Sequence, residues 1–260
     1  MPGICNILNA METESSLYYF VSDVHLGLRA FGPQERELRF AKFLRELPPQ
    51  TKALFLIGDI FDFWFEYKYV VPRGYTRVLG ALSSLSDRGV KVYFLKGNHD
   101  MWTFGYLEKE IGIEILAELT VVDIAGKKFC LAHGDELTSR EPSHLLLKKM
   151  FHSSFLQFML ATVHPRWTFA VASRWSESSR LSGGAIYKFR GEADPLYKFA
   201  CEYEKGKKPD YFIFGHVHTP GNIKTPMGAD FYILGEWIHG CEYLRYDASV
   251  DKMEWLSARD

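Results

Sequence analysis

Apolar and polar positions along the chain separate into short runs that are apolar almost throughout and longer stretches in which apolar residues recur every three or four positions. The short runs are Leu17 to Ser22, Ala53 to Ile57, Lys91 to Leu95, Leu119 to Ile124, Lys127 to Ala132 and Asp210 to Phe214. Several are too apolar to leave one face in water, which predicts interior strands. Gln34 to Leu47, Tyr75 to Arg88 and Ala193 to Lys205 carry the spacing of amphipathic helices. This β-α-β alternation predicts an α/β fold. Val122 to Cys130 adds a hairpin turning at Ala125-Gly126, and the chain from Phe231 onward adds strands punctuated near Gly235, Gly240 and Ala248, so the sheet is expected to be mixed.

The strand rhythm stops between Ser139 and Arg190, where a helical segment of about fifty residues is interposed between two strands. His144 to His152 and Phe155 to Ala161 are more apolar than a free surface helix, with Lys148, Lys149, Arg166 and Arg174 set among them, and Pro165 divides the stretch into two helices. The expected organisation is one catalytic domain over residues 17–257, an insertion or cap at about 139–190, and an N-terminal extension over 1–16. A chain of 260 residues, 47% apolar and 24% charged, is long enough for one large core.

A net charge of -1 supplies no global attraction to nucleic acid, so no nucleic-acid partner is expected. Cys5, Cys130, Cys201 and Cys241 stand far apart without a CxxC pair, which points away from a disulfide framework or a zinc knuckle and toward a reducing cytoplasm. The first sixteen residues lack the basic start and apolar core of a secretory signal, and no apolar run approaches bilayer length. A soluble or peripheral protein is the expectation.

The chemistry is concentrated where strands end. Asp23-Val-His25 follows the first strand, and in extended chain that spacing keeps carboxylate and imidazole on one face. Gly58-Asp59-Ile-Phe-Asp62 closes the second, Gly97-Asn98-His99-Asp100 the third, His133-Gly134-Asp135 the fifth, and Gly215-His216-Val-His218 the last. Each fragment alone reads as a turn or cap. Together they place Asp, Asn and His at five apolar strand ends, where buried polar groups are costly unless paired or metal-bound. Ligand crevices of open α/β sheets lie beyond the carboxyl ends of the strands. Carboxylate, imidazole and amide oxygen without thiolate favour Mn2+, with Fe2+, Zn2+ or Mg2+ as alternatives. Two such ions about 3.5 to 4 Å apart can hold a phosphoryl group and bring a bridging water toward neutrality, which points to phosphoester hydrolysis.

In this order the motifs DxH, GDxxD, GNHD, HGD and GHxH resemble those of the calcineurin-like metallophosphoesterases over Asp23 to His218. The resemblance implies a four-layer α-β-β-α sandwich of mixed sheets with a helical cap. The spacing, the helical insertion before GHxH, and Gly235-Glu-Trp-Ile-His239 after it are most similar to the UDP-2,3-diacylglucosamine pyrophosphatase family of lipid A synthesis. It implies that Asp23, His25, Asp59 and His218 hold one metal and that Asp59, Asn98, His133 and His216 hold the other, with Asp59 bridging. It further implies that His99 faces the scissile phosphate, that Asp100 orients His99, and that Asp62 supports the metal ligands. Asn98, His99 and Asp135 face the substrate in this reading. Familiar members of that family carry GNRD where this chain has Gly97-Asn98-His99-Asp100; arginine there clamps phosphate bidentately and histidine does not.

The implied reaction releases UMP from a UDP-linked acylated sugar at the cytoplasmic face of the inner membrane of a Gram-negative bacterium. Residue types alone leave two readings of the insertion open: a helical pair packed on the main domain with solvated lysines, or a cap whose apolar face receives acyl chains and whose cations meet anionic headgroups. Ser176 to Arg180 and Lys188 to Arg190 are either solvated or in contact with the nucleotide, with Arg180 the candidate, and His239 is either a surface residue or faces the phosphate. His144, His152 and His164 lack a strand-end context and are read as ordinary helix or loop residues. Other phosphoesterases of the superfamily share every ligand, and a catalytically degenerate binding scaffold is the rival of another class.

Overall fold

Strand β1 (Leu17–Val21) is buried on both faces, and the reason lies in what covers each side. Leu17, Tyr19 and Val21 pack toward helices, whereas Tyr18 and Phe20 pack toward a second sheet. A run that is apolar at every position therefore satisfies both directions. The same holds for β2 (Thr51–Ile57) and β3 (Lys91–Leu95). The computed structural model describes residues 15–30, 32–138, 150–181 and 188–259, apart from the side chains of residues 138, 175 and 177–181.

The first sheet has the order β11-β10-β1-β2-β3-β4, with β4 (Ile113–Leu116), β10 (Glu242–Asp247) and β11 (Lys252–Ser257). Its β1-β2-β3-β4 portion is parallel, and β10 and β11 are antiparallel. The second has the order β5-β6-β7-β9-β8, with β5 (Leu119–Ile124), β6 (Lys127–Ala132), β7 (Tyr211–Phe214), β8 (Gly221–Lys224) and β9 (Asp230–Ile233). Here β6, β7 and β9 are parallel and the two outer strands antiparallel. Both sheets are mixed, as the hairpin and the C-terminal strands led one to expect.

Helices α1 (Pro33–Glu46) and α2 (Thr76–Asp87) cover the outer face of the first sheet through Phe40, Phe43, Leu44, Val78, Leu82 and Leu85. Helix α6 (Pro195–Lys207) covers the second through Leu196, Tyr197 and Ala200. Between the sheets runs an aromatic stack: Phe20 lies 5.0 Å from Phe55 and 5.7 Å from Phe129, and Phe129 lies 4.6 Å from Tyr211. Four layers, α-β-β-α, result.

The expected hairpin is present, with Ala125 and Gly126 both at positive φ as a type I′ turn requires. Two strands escaped the pattern, β4 and β8, each of four residues and too short to carry a periodic signal. Helix α6 begins at Pro195, not Ala193, because the Asp194 side chain accepts from the Leu196 N–H and the preceding Gly191–Ala193 forms a 3-10 turn. A four-residue helix α3 (Asp135–Thr138) precedes the stretch expected as an insertion, which carries α4 (Ser154–Thr162) and α5 (Pro165–Leu181), divided at Pro165 as expected. Lys148, Lys149 and His144 lie outside the described residues. Among the described residues no helix is long and apolar enough to cross a membrane.

Candidate metal centre

β1, β2 and β3 end together at one edge of the first sheet, and β6 and β7 end beside them in the second. Backbone bonds knit the strand ends: the Asp23 N–H donates to the Gly58 carbonyl and the Gly215 N–H to the His133 carbonyl. At this edge two described bonds cross between the sheets. His133 Nδ1 meets the Ile57 carbonyl at 2.9 Å, and the His216 N–H donates to Asp23 Oδ2 at 3.0 Å. The approach is so close that a Cβ on Gly58 would stand 2.5 Å from His133 Nδ1, and one on Gly97 2.2 Å from Asp59 Oδ1. Only glycine fits at these two places.

Asp23, His25, Asp59, His216 and His218 all sit at positive φ between 49° and 70°. That region is sparsely populated by residues other than glycine, and holding side chains there costs on the order of 1 kcal/mol or more each. Five such residues on one cleft mark a place where donor geometry outweighs backbone preference.

The donors converge. Ser22 Oγ and the His216 N–H occupy Asp23 Oδ2, leaving Oδ1 3.2 Å from His218 Nε2 and 3.8 Å from His25 Nε2. Asp59 Oδ1 accepts the His99 N–H, leaving Oδ2 3.4 Å from His133 Nε2 and 3.9 Å from both His25 Nε2 and His99 Nε2. Asp23, His25 and His218 thus form one group able to hold a cation, and Asp23, Asp59 and His133 a second. His216 adds its ring 5.3 Å from that of His133. Since His133 Nδ1 faces a carbonyl, which can only accept, the ring donates there and directs the Nε2 lone pair into the cleft.

These residues fit a pair of divalent cations. Asp23 Oδ1, Asn98 Oδ1 and His133 Nε2 are buried without a hydrogen-bond partner among the described residues, an arrangement that is expensive unless something electropositive engages them. Electrostatics agree. Burial disfavours charge on Asp23 and Asp59, but His218 beside the first and His133 beside the second outweigh it, and both carboxyls lie below the usual range. Burial and then His133 push the His216 imidazole down to about 4, keeping it neutral and able to donate a lone pair. On His133 burial is outweighed by Asp59, which raises its pKa, so a cation held at Nε2 would take the place of a proton there. Asp135, at the start of α3, acts on both rings as a nearby negative charge.

One expected role is overturned. Asp100 does not orient His99; its two oxygens accept from the backbone N–H groups of Asp59, Ile60, Phe61 and Gly97 at 2.7 to 3.2 Å. It is fully buried, and burial followed by the charge of Asp59 pushes it up to about 7. It clamps the second and third strand-end loops together. His99 takes its orientation from Asp62, whose backbone carbonyl receives Nδ1 at 2.8 Å. The Asp62 carboxylate also lies 3.5 Å from His25 Nδ1.

The Gly235 to Gly240 loop reaches the site through its backbone, the Trp237 N–H donating to the Asp23 carbonyl, with Trp237 buried against Phe40 and Phe43. His239 itself is exposed, and its partners Glu236 and Arg259 are on the C-terminal side of the chain. Arg180 lies on α5 with its side chain outside the described residues. Ser176, expected to be solvated or on a nucleotide, is buried and donates to Asp62 Oδ1 at 2.9 Å. His152, set aside by the pattern, joins Glu118 and Glu136 in a largely exposed group at the root of the insertion. Pattern reading also missed Ser22, whose hydroxyl selects which oxygen of Asp23 faces the cleft; its adjacency to the DxH pair is the signal that was there to be used.

Two stacked mixed sheets with such a carboxylate–imidazole cluster at their strand ends define a metal-dependent phosphoesterase. The chain belongs to the calcineurin-like phosphoesterase family, whose model matches residues 17–220. It is 39% identical to the UDP-2,3-diacylglucosamine hydrolase of Porphyromonas gingivalis, covering 92% of this chain and 97% of that protein. To the protein of the same name from Neisseria gonorrhoeae it is 28% identical, over 84% and 89% of the two chains. Among solved structures, TT1561 of Thermus thermophilus superposes with a TM-score of 0.47 and 14% identity over 95% of this chain and 100% of that one.

Proposed function

We propose that this hydrolase cleaves the pyrophosphate of UDP-2,3-diacylglucosamine, releasing UMP and leaving 2,3-diacylglucosamine 1-phosphate. The observation that carries the substrate is the near-full-length likeness to a UDP-2,3-diacylglucosamine hydrolase. Asp23, His25, Asp59 and His218 would hold one divalent ion and Asp59, Asn98, His133 and His216 the other, with Mn2+ the favoured metal given hard oxygen donors mixed with imidazole. Such an ion pair supplies Lewis-acid stabilisation of phosphoryl oxygens and a water acidic enough to serve as nucleophile near neutral pH.

The protein's own part is to hold charge and direct protons. Asp59 presents Oδ2 3.9 Å from His25 Nε2 and 3.4 Å from His133 Nε2, within reach of both rings, which suits a bridging ligand. His99, one quarter exposed, donates from Nδ1 to the Asp62 carbonyl and turns Nε2 to the cleft, so it is as an imidazolium that the ring would offer a proton and positive charge to a phosphoryl oxygen. This single donor replaces the bidentate arginine clamp of familiar relatives. Asp135, a negative charge near His133 and His216, would face the substrate.

The insertion supports a lipid-linked substrate. Phe155, Phe158, Trp167 and Val171 are each about two-thirds exposed on α4 and α5, and α5 also carries exposed Arg166 and Arg174. Apolar surface of this kind beside cations suits acyl chains and the anionic cytoplasmic face of a Gram-negative inner membrane, where the enzyme would bind peripherally. The test is mass spectrometry of products after incubation with UDP-2,3-diacylglucosamine and Mn2+. UMP in stoichiometric yield is expected, with turnover of the Asp59→Ala protein reduced more than about 100-fold. No UMP from metal-loaded enzyme would sink the substrate assignment.

A further inference from the structure

Helix α5 turns one face toward the domain. Thr168 and Ser176 are buried on it, Phe169, Ala172 and Ser173 partly so, and their spacing of three or four residues places them on a single stripe. Trp167, Val171 and Arg174 point the other way and are exposed. Phe169 meets the ring of Phe63 edge-on at 4.9 Å, directly beside Asp62 in the chain. Near the C-terminal end of the same stripe, Ser176 Oγ donates to Asp62 Oδ1.

That oxygen is shared. Asp62 Oδ1 also lies 3.5 Å from His25 Nδ1 and 3.9 Å from His99 Nδ1. A carboxylate at Nδ1 keeps a proton there and leaves Nε2 as the lone-pair donor; His25 Nε2 faces Asp23 Oδ1 and His218 Nε2. Elsewhere the described contacts of the insertion with the domain include the Trp102 indole donating to the Phe151 carbonyl and His152 Nε2 lying 3.8 Å from Glu118. Among the described residues, Ser176 is thus a point where the insertion touches a group that itself lies beside a histidine of the candidate metal centre.

We infer that Ser176 is a positioning residue through which the seating of the insertion sets the affinity of the Asp23–His25–His218 site for its cation. With α5 seated, the hydroxyl pins the Asp62 carboxylate in the plane that His25 needs. With α5 lifted, that carboxylate loses one of its donors and His25 loses its fixed tautomer. The coupling is reciprocal by linkage: a bound cation orders His25, His25 orders Asp62, and Asp62 holds Ser176 and the helix. An insertion whose outer face is apolar and cationic can in this way report engagement of its ligand to the metal site without contacting the metals.

The inference rests on the two-cation reading of the centre, and its test uses metal binding itself. Mn2+ titration of metal-stripped full-length protein is followed by calorimetry, together with hydrogen exchange of α5 with and without Mn2+. Ser176→Ala is expected to weaken one of the two sites about three- to tenfold, less than loss of a group in direct contact with a ligand. Ser176→Thr, which keeps the hydroxyl, restores the affinity. Thr168→Ala, on the same stripe but away from Asp62, leaves it unchanged. In the unaltered protein Mn2+ slows exchange in α5, and in Ser176→Ala it does not. Equal affinities in the unaltered and Ser176→Ala proteins, or equal weakening by Thr168→Ala, would overturn the inference as one of mere packing. Failure of the unaltered protein to take up two Mn2+ would remove the reading beneath it.

Discussion

Replacing Asp100 by alanine takes the acceptor away from four buried backbone N–H groups, whereas replacing His99 removes a partly exposed ring from the mouth of the cleft. The two neighbours should therefore fail differently. Each orphaned buried donor costs about 1 kcal/mol or more, so Asp100→Ala is expected to lose roughly 3 kcal/mol or more of unfolding free energy in urea titrations. His99→Ala should keep its stability and lose about 10²- to 10³-fold in kcat, the scale of one charge-stabilising donor. A His99→Ala protein that melts early, or an Asp100→Ala protein of normal stability, would contradict the division of labour drawn here. Glu66 resembles Asp100 in kind: it is buried and its carboxylate accepts from the N–H groups of Phe104, Tyr106 and Leu107 and from the Trp64 indole. Acids at these strand-end loops serve as anchors for backbone as often as they serve as ligands.

At the scale of elements, α4 stands apart because none of its residues is buried. An apolar helix that contributes nothing to the core can be altered without harming the fold, so Phe155→Asp with Phe158→Asp should leave the melting temperature unchanged. Each methylene removed from water contributes about 0.8 kcal/mol, so loss of a few acyl contacts is expected to raise KM for the diacylated substrate about tenfold or more. A small chromogenic phosphodiester should be hydrolysed as before. Equal losses on both substrates would mean that α4 serves the fold and not the acyl chains. The adjoining seam is different: Phe63, Trp102, Phe151 and Phe169 interlock at 4.9 to 5.5 Å and seat the insertion on the domain.

At the scale of the molecule, the cleft lies where two sheets meet, and few bonds span that junction beyond the apolar core between them. A cation pair held by Asp23 and Asp59 from one sheet and His133, His216 and His218 from the other would tie the layers together. Binding to the folded state alone at a free concentration 100-fold above Kd contributes about 2.7 kcal/mol, which for a domain of this size corresponds to about 5–10 °C. Chelation should lower the melting temperature by that amount and Mn2+ should restore it, as differential scanning calorimetry will show; an unchanged midpoint would argue against ions bridging the sheets.

The strand ends and their chemistry were legible in the chain because both are local. A run such as Ala53 to Ile57 followed by Gly58-Asp59 records in consecutive residues that the backbone is buried and then turns with an acid at its tip. The same locality made α1, α2, the Ala125-Gly126 hairpin and the break at Pro165 readable. The partnership between Asp100 and the second strand-end loop joins residues 41 apart, His133 and Ile57 are 76 apart, and Ser176 and Asp62 are 114 apart. No periodicity encodes such pairs. They arise when strands align in parallel and two sheets stack, which brings loop tips within hydrogen-bonding distance whatever their separation along the chain. The sequence alone therefore determined which side chains are present at the cleft and the class of chemistry they suit. Only the tertiary structure decided which of those polar groups face inward with an unshared lone pair and which are consumed in holding backbone, because that depends on donors arriving through space.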